Sequence, residues 1–216
     1  MMRTPCSSCR IALAVALLLA SVGVGRAQTY PAKTVRIVAP FPAGGLADVL
    51  ARLVGEGLQK SLGQSVIVEN RAGAGGNTGA AIVATAEPDG HTLLMSSAGI
   101  LSINEHIYAR MPFDPDKAFA PITVVADMPM LVVVHPKVGV TTLKDFLAKA
   151  RTDPGKLNFG SAGNGTTGHL GLVMLMRTAN IQIAHVPYSG AAPSVQDLVA
   201  GQIDGLVDNP PTVMSH

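Results

Sequence analysis

Ser161-Ala162-Gly163-Asn164-Gly165-Thr166-Thr167-Gly168-His169, followed by the apolar run 170–176, is the stretch on which the reading of this chain turns. A strand-like segment, 156–159, precedes it, and Thr166 stands where it can cap a helix expected over 167–178. Glycines let the backbone come close to a ligand, and the unpaired N–H groups and positive dipole end of a helix attract an anion. The stretch therefore reads as a carboxylate or phosphate cradle. Residues 40–48, Pro-Phe-Pro-Ala-Gly-Gly-Leu-Ala-Asp, repeat the strand, loop and helix layout far upstream. Two such turns are expected to form two walls of one cleft.

Outward from these turns, the first residues describe a secretory leader: Arg3 and Arg10, an uncharged apolar run over 11–24, and Gly25-Arg26-Ala27 before Gln28. The run is shorter than the roughly twenty residues of a membrane span, so cleavage is expected after Ala27 and the product in the periplasm. Cys6 and Cys9 both fall in the leader, which leaves the secreted part without disulfides, thiolate metal ligands or cysteine nucleophiles. Loss of Arg3, Arg10 and Arg26 takes the 16 basic residues to 13 against 14 acidic ones, a net charge near −1. With no basic excess and 4% aromatic residues, nucleic acid is not an expected partner.

In chain order, a β-rich run over 35–41 ends at the first glycine turn, and apolar residues at Leu46, Leu50, Leu53, Val54 and Leu58 space a helix that Gly63 ends. A strand over 65–69, a glycine loop at 73–76, an alanine-rich helix over 77–86 and a strand over 92–97 follow. A helix is expected near 103–109, then an extended connection over 111–121 with three prolines. Two further strands are placed at 122–126 and 131–135. Beyond them come a helix at 143–151, the second glycine loop with its flanking strand and helix, a strand at 183–187, a helix at 192–200 and a strand at 203–208. The residues after it read as neither a capped helix nor an edge strand. Strands alternating with helices imply an α/β fold with mainly parallel sheets covered by helices. The expected division is a leader over 1–27, a first lobe over 28–127 and a second over 128–216.

The motifs narrow the chemistry. Gly163-Asn164-Gly165-Thr166-Thr167-Gly168 matches the dinucleotide fingerprint in form, but no acid follows from Gly168 until Asp197, so the ribose has no partner at the required distance. No glycine loop ends in Lys-Ser/Thr, and Phe159 stands where a hydrolase elbow at Ser161 needs glycine. The histidines lack the paired spacing of a zinc helix. His91, His106, His135 and His185 read as structural, whereas His169 lies in the first turn behind the glycine loop and is a candidate ligand contact. Asp48 either steadies the first helix or shapes its glycine turn. Asp208, at the end of a strand, is either structural or an acceptor toward an amine, hydroxyl or water. The loop at 73–76 is either a flexible turn or a ligand contact. Neither a cofactor nor a metal is expected, and no acid, base and nucleophile constellation supports an enzyme.

Several longer segments carry a resemblance: 40–48, Val68-Glu69-Asn70-Arg71-Ala72-Gly73-Ala74-Gly75-Gly76-Asn77, Pro88-Asp89-Gly90, 161–169, His185-Val186-Pro187-Tyr188, Gly190-Ala191-Ala192-Pro193 and Asp208-Asn209. Over essentially the whole secreted part the chain resembles the periplasmic solute receptors of tripartite tricarboxylate transporters, the Bug family. That resemblance implies a type II periplasmic binding fold of two lobes that close, as a monomer, on a small carboxylate and deliver it to membrane permease subunits. The ligand class implied is a di- or tricarboxylate, an amino acid or an aromatic acid. Carried over position by position, the implied contacts are Phe41, Ala43, Gly44, Gly45, Asp48 and Ser97 on the first lobe. On the second they are Ser161, Asn164, Gly165, Thr166 and His169, with Tyr188, Gly190, Ala191 and Asp208 at the rim. Thr166 and Asn164 are expected to donate to one carboxylate.

Some positions depart from the family. Ile100-Leu101-Ser102-Ile103-Asn104-Glu105 stands where members read approximately Thr-His-Ala-Ile-Asn-Pro, and Ser189 stands where lysine is frequent, both of which bear on selectivity. Members continue roughly a hundred residues past the position of His216, so an incomplete second lobe is expected. A sensing subunit for a membrane kinase and an enzyme acting on a phosphorylated anion are the other functions the cradle permits.

Overall fold

The computed structural model of the chain describes residues 29–214 and 216; the leader expected over 1–27 lies outside the described residues. Lys33–His216 form one unit containing two sheets. The first sheet is built by β1 (Val35–Ala39), β2 (Val66–Asn70) and β3 (Thr92–Leu94) in the order β2-β1-β3, all parallel. Parallel neighbours need crossovers, and α1 (Leu46–Leu62) and α2 (Asn77–Ala84) supply them. The stripe Ala47, Leu50, Val54 and Leu58 of α1 packs on Ile37, Val66, Val68 and Leu93. Gly63 stops the helix in the left-handed conformation, its N–H bonded to Gln59 O. Ile67, on the opposite face of β2, is half exposed, so that face is not fully covered by the described residues.

Past β3 the chain takes a π-helical turn, Gly99–Ile103, and two one-turn helices, α3 (Asn104–Ile107) and α4 (Pro115–Ala118). The helix expected near 103–109 thus begins earlier and in wider winding, and the connection expected to be extended contains α4, which Asp114 caps through Asp116 N. Residues 122–126 are a correction. They form no strand, and Ile122 and Val124 are 79% and 82% exposed. β-branched residues favour a strand only when a neighbouring strand completes the ladder, and among the described residues none does.

The second sheet contains β4 (Leu131–Val134), β5 (Asn158–Ser161), β6 (Ala184–Pro187) and β7 (Gly205–Asp208) in the order β4-β7-β5-β6. β5 pairs parallel with β6 and β7, while β4 runs antiparallel to β7 along Leu131↔Asp208 to Val134↔Gly205. On one face α5 (Leu143–Thr152) and α6 (Thr167–Ala179) bury Phe146, Phe159, Leu172, Ile183 and Val207, with the two phenyl rings 5.5 Å apart. On the other, α7 (Ala191–Val199) buries Val195 and Leu198 against Ile203 and Leu206. The period-two alternation of Leu206 and Val207 sends one side chain to each layer. The chain after β7, expected to lack a helix, turns into α8 (Pro210–Val213), where Pro210 suits a first helical position because its missing N–H would have no partner there.

The amino-terminal turn of α6 touches β7 at backbone level: a Cβ on Gly168 would collide with the carbonyl oxygen of Val207. Gly168→Ala is expected to destabilise the fold by about 1–3 kcal/mol through overpacking. Urea denaturation checks this, and an unchanged midpoint would show that α6 does not depend on that approach.

Candidate functional site

Both glycine turns leave the carboxyl ends of parallel strands and enter helices, the position at which open α/β sheets offer backbone N–H groups to ligands. The first turn is shaped by Asp48, which is 4% exposed. Its carboxylate accepts from Gly44 N at 3.0 Å and from Asn70 Nδ2 at 3.0 Å, and pairs with Arg52 Nη2 at 2.9 Å. The same Asn70 amide donates to Phe41 O at 3.0 Å. Asp48 therefore holds the turn, and Gly44 takes the positive φ the turn requires. Burial pushes its pKa up, but Arg52, Gly44 N and Asn70 outweigh burial and hold it below the ordinary value.

The second turn is held from within. Thr166 caps α6, its hydroxyl accepting from His169 N at 3.4 Å and donating to Gly163 O at 2.7 Å. The hydroxyl expected to donate to a ligand is thus committed to the loop in this conformation. Ser161 Oγ accepts from Gly163 N at 3.2 Å and lies 2.6 Å from His185 Nε2. His185 was expected to be structural, and its contact runs to the loop rather than outward. The His169 and His185 rings stack with centroids 4.2 Å apart. His169 Nδ1 accepts from Gly165 N at 3.3 Å, which places the ring proton of the neutral imidazole on Nε2. Burial lowers the pKa of His169. Burial and then the neighbouring His169 lower that of His185 to about 4. The N–H groups of Thr167 and Gly168, at the start of α6, have no hydrogen-bond partner among the described residues.

Each turn meets a different segment of the chain. At the first, Gly190 faces Pro42, and Gly44 and Gly45 face Ala192 and Ala191 at the start of α7, with 4.0 Å between an ideal Cβ on either glycine and the alanine Cβ. At the second, Tyr108 Oη donates to Asn164 O at 3.0 Å. A Cβ on Gly99 would lie 2.9 Å from Gly165 O, and one on Gly75 would lie 2.6 Å from Asn164 O. Gly75 lies in the loop at 73–76, which the sequence leaves open as a flexible turn or a ligand contact. Gly99, Asn104 and Tyr108 were not among the expected contacts, and they lie after β3 where the sequence pattern loosens.

The remaining expected residues divide. Phe41 lies against Gly76, and Ser97 O accepts from Ile100 N and Leu101 N to start the π-helical turn. Ala43 is exposed on the first turn. Tyr188 turns its side chain into the α7 layer, where its hydroxyl donates to Asp197 Oδ2 at 2.7 Å; burial and Asp197 raise its pKa to about 12. Its carbonyl lies beside Gly163. Asp208 is 7% exposed at the end of β7 and accepts from Asn209 N at 2.7 Å; burial raises its pKa, and no cation pairs with it among the described residues.

Residues 50–216 match the family described as the tripartite tricarboxylate transporter family receptor. The chain belongs to that family. It is 40% identical over 91% of its length to the UPF0065 protein in the tcbD-tcbE intergenic region of Pseudomonas sp. (strain P51), covering 58% of that protein. It is 34% identical over 96% of its length to protein BugT of Bordetella pertussis, covering 65%. Among solved structures, R. palustris Rpa4515 with adipate superposes with a TM-score of 0.83 at 37% identity, covering 85% of this chain and 61% of that one. MatC from Rhodopseudomonas palustris with bound malate superposes at 0.80 with 33% identity, covering 86% and 63%. The chain thus spans about 60% of the length of these relatives, and it shares the fold of periplasmic binding proteins.

Two outcomes follow from the local chemistry. Asp48→Ala is expected to cost about 1–3 kcal/mol by leaving the part-buried Gly44 N–H and Asn70 amide without their acceptor. In the unsubstituted protein the Asp48 contribution is fully present above its unfolded pKa of about 3.9 and is lost as pH falls through the lower folded value. Chemical denaturation of both proteins at pH 7 and pH 3 measures this, the difference between them shrinking at the lower pH. For His185 the window is higher. Its folded pKa of about 4 lies below the unfolded 6.5, so stability falls as pH drops from about 6.5 toward 4. His185→Gln should flatten that part of a Tm against pH profile, and an identical profile would mean that His185 titrates as an exposed histidine.

Proposed function

We propose that this protein is a periplasmic receptor that closes two lobes, 28–127 and 128–216, on a small carboxylate and hands it to membrane permease subunits, without catalysing a reaction. The observation that carries this reading is the close approach of backbone at Gly75 and Gly99 to Asn164 and Gly165, beside the capped amino-terminal end of a thirteen-residue helix. Unpaired N–H groups at Thr167 and Gly168 and the helix dipole supply positive potential without a charged side chain. A carboxylate is the matching anion, and the adipate and malate held by the related structures support that class.

In this reading Phe41, Ala43, Gly44, Gly45 and Ser97 form the first wall, with Asp48 keeping it in shape. Ser161, Asn164, Gly165, Thr166 and His169 form the second, and Gly190, Ala191, Tyr188 and Asp208 border it. The loop side chains act mainly as scaffolding: Thr166 and Ser161 spend their hydrogen bonds on fixing the backbone that meets the ligand. His169 Nε2–H and the side-chain amide of Asn164, which is exposed on the loop, are the side-chain donors left for a ligand oxygen.

The test is thermal unfolding by circular dichroism with and without malate, adipate, citrate and benzoate. An acid at a hundred times its Kd should stabilise the protein by about 2.7 kcal/mol and raise Tm accordingly. A cooperative melt that no acid moves would overturn the reading.

A further inference from the structure

Asn104 places a buried acceptor without a donor beside the amino-terminal turn of α6. Its side chain is fully buried, and its amide orientation is fixed by its neighbours. Nδ2 donates to Gly75 O at 3.2 Å, a carbonyl that can only accept, and to Asn77 Oδ1 at 2.7 Å, whose own amide nitrogen is turned to Met111 Sδ. Rotating the amide would set Oδ1 against two acceptors. Oδ1 therefore points the other way, at Gly165, where a Cβ would collide with it, and among the described residues nothing donates to it. Ser96 Oγ, two residues beyond β3, is the other buried side-chain oxygen in this state. Both lie at the carboxyl end of the first sheet, on the segment that meets the second glycine turn.

A buried carbonyl oxygen without a donor destabilises the molecule that keeps it, and that cost is removed by a partner that brings a donor. Resting on the receptor reading above, we infer that Asn104 Oδ1 recognises a hydroxyl or ammonium group on the ligand when the turns part to admit it. The carboxylate is held at the start of α6 and its neighbouring donor turns to Asn104. The ligand is then a hydroxy- or amino-substituted dicarboxylate, and Asn104 discriminates it from the unsubstituted acid of the same length. A site built to pair a ligand donor disfavours the analogue that lacks it, because its buried acceptor stays unpaired.

Isothermal titration of the full chain with matched acids tests this: succinate against L-malate and L-aspartate, and adipate against 3-hydroxyadipate. The substituted member of whichever length binds should bind at least about tenfold tighter than the plain acid. In Asn104→Ala, with folding checked by its melt, that ratio should fall toward one. If Asn104→Ala does not fold, the comparison on the unsubstituted protein decides alone. Equal affinity for plain and substituted acids overturns the role of Asn104 and leaves the receptor reading standing. If no acid of either pair binds, this inference falls, and the receptor reading falls with it only if citrate and benzoate also leave the melt unmoved.

Discussion

Helix α6 can lie where it does only because Gly168 has no side chain. Contact between the first turn of the helix and the carbonyl of Val207 sets the height at which the helix begins above the second sheet. That height fixes where its unpaired N–H groups emerge, and the loop from Ser161 to Thr166 must then span a set distance from β5 to the cap. Much of the polar detail around this loop serves that span. Ser161 binds back to Gly163, Thr166 binds Gly163 and His169, and His185 closes on Ser161 from the next strand. The first sheet solves the same problem with a charge, as the buried Asp48 carboxylate gathers Gly44, Asn70 and Arg52 around it.

The electrostatics follow from this division of labour. Neither glycine turn carries a lysine or arginine, and the stacked histidines are held neutral by burial. The positive potential at the start of α6 comes from oriented backbone dipoles, which need no desolvation of a cation and do not change with pH over the range in which carboxylates are ionised. The pH-sensitive parts lie one layer behind the surface, in Asp48 and His185, where titration acts on the shape of a turn.

Local signals located the elements well where each residue choice had a local cause. Gly63 ends α1, Thr166 caps α6, and the strand expected over 203–208 contains β7. The two glycine turns were legible for the same reason, since the residues that shape them lie within a few positions. Legibility failed where structure depends on distant partners. Residues 122–126 have the composition of a strand but no neighbour to pair with, and the π-helical turn at Gly99–Ile103 has no periodicity of its own. Asn104 and Tyr108 touch loops about sixty positions onward, and Tyr188, expected at the rim, is drawn into the α7 layer by Asp197. No pattern within a short window encodes such contacts.

The surface against which the second glycine turn lies is made largely of positions that have no side chain: Gly75 and Gly99 on one side, Gly165 on the other. A surface of bare backbone presents nearly the same face whatever the sequence around it. Substitution there is blocked by collision, so these positions cannot serve as the variable letters by which related receptors diverge. Divergence must instead fall on the few side chains that border the bare patch, and Ile100, which stands where family members read approximately threonine, is among them. A small number of changes in the segment after β3 therefore redraws the border of the patch while the bare backbone itself stays as it is.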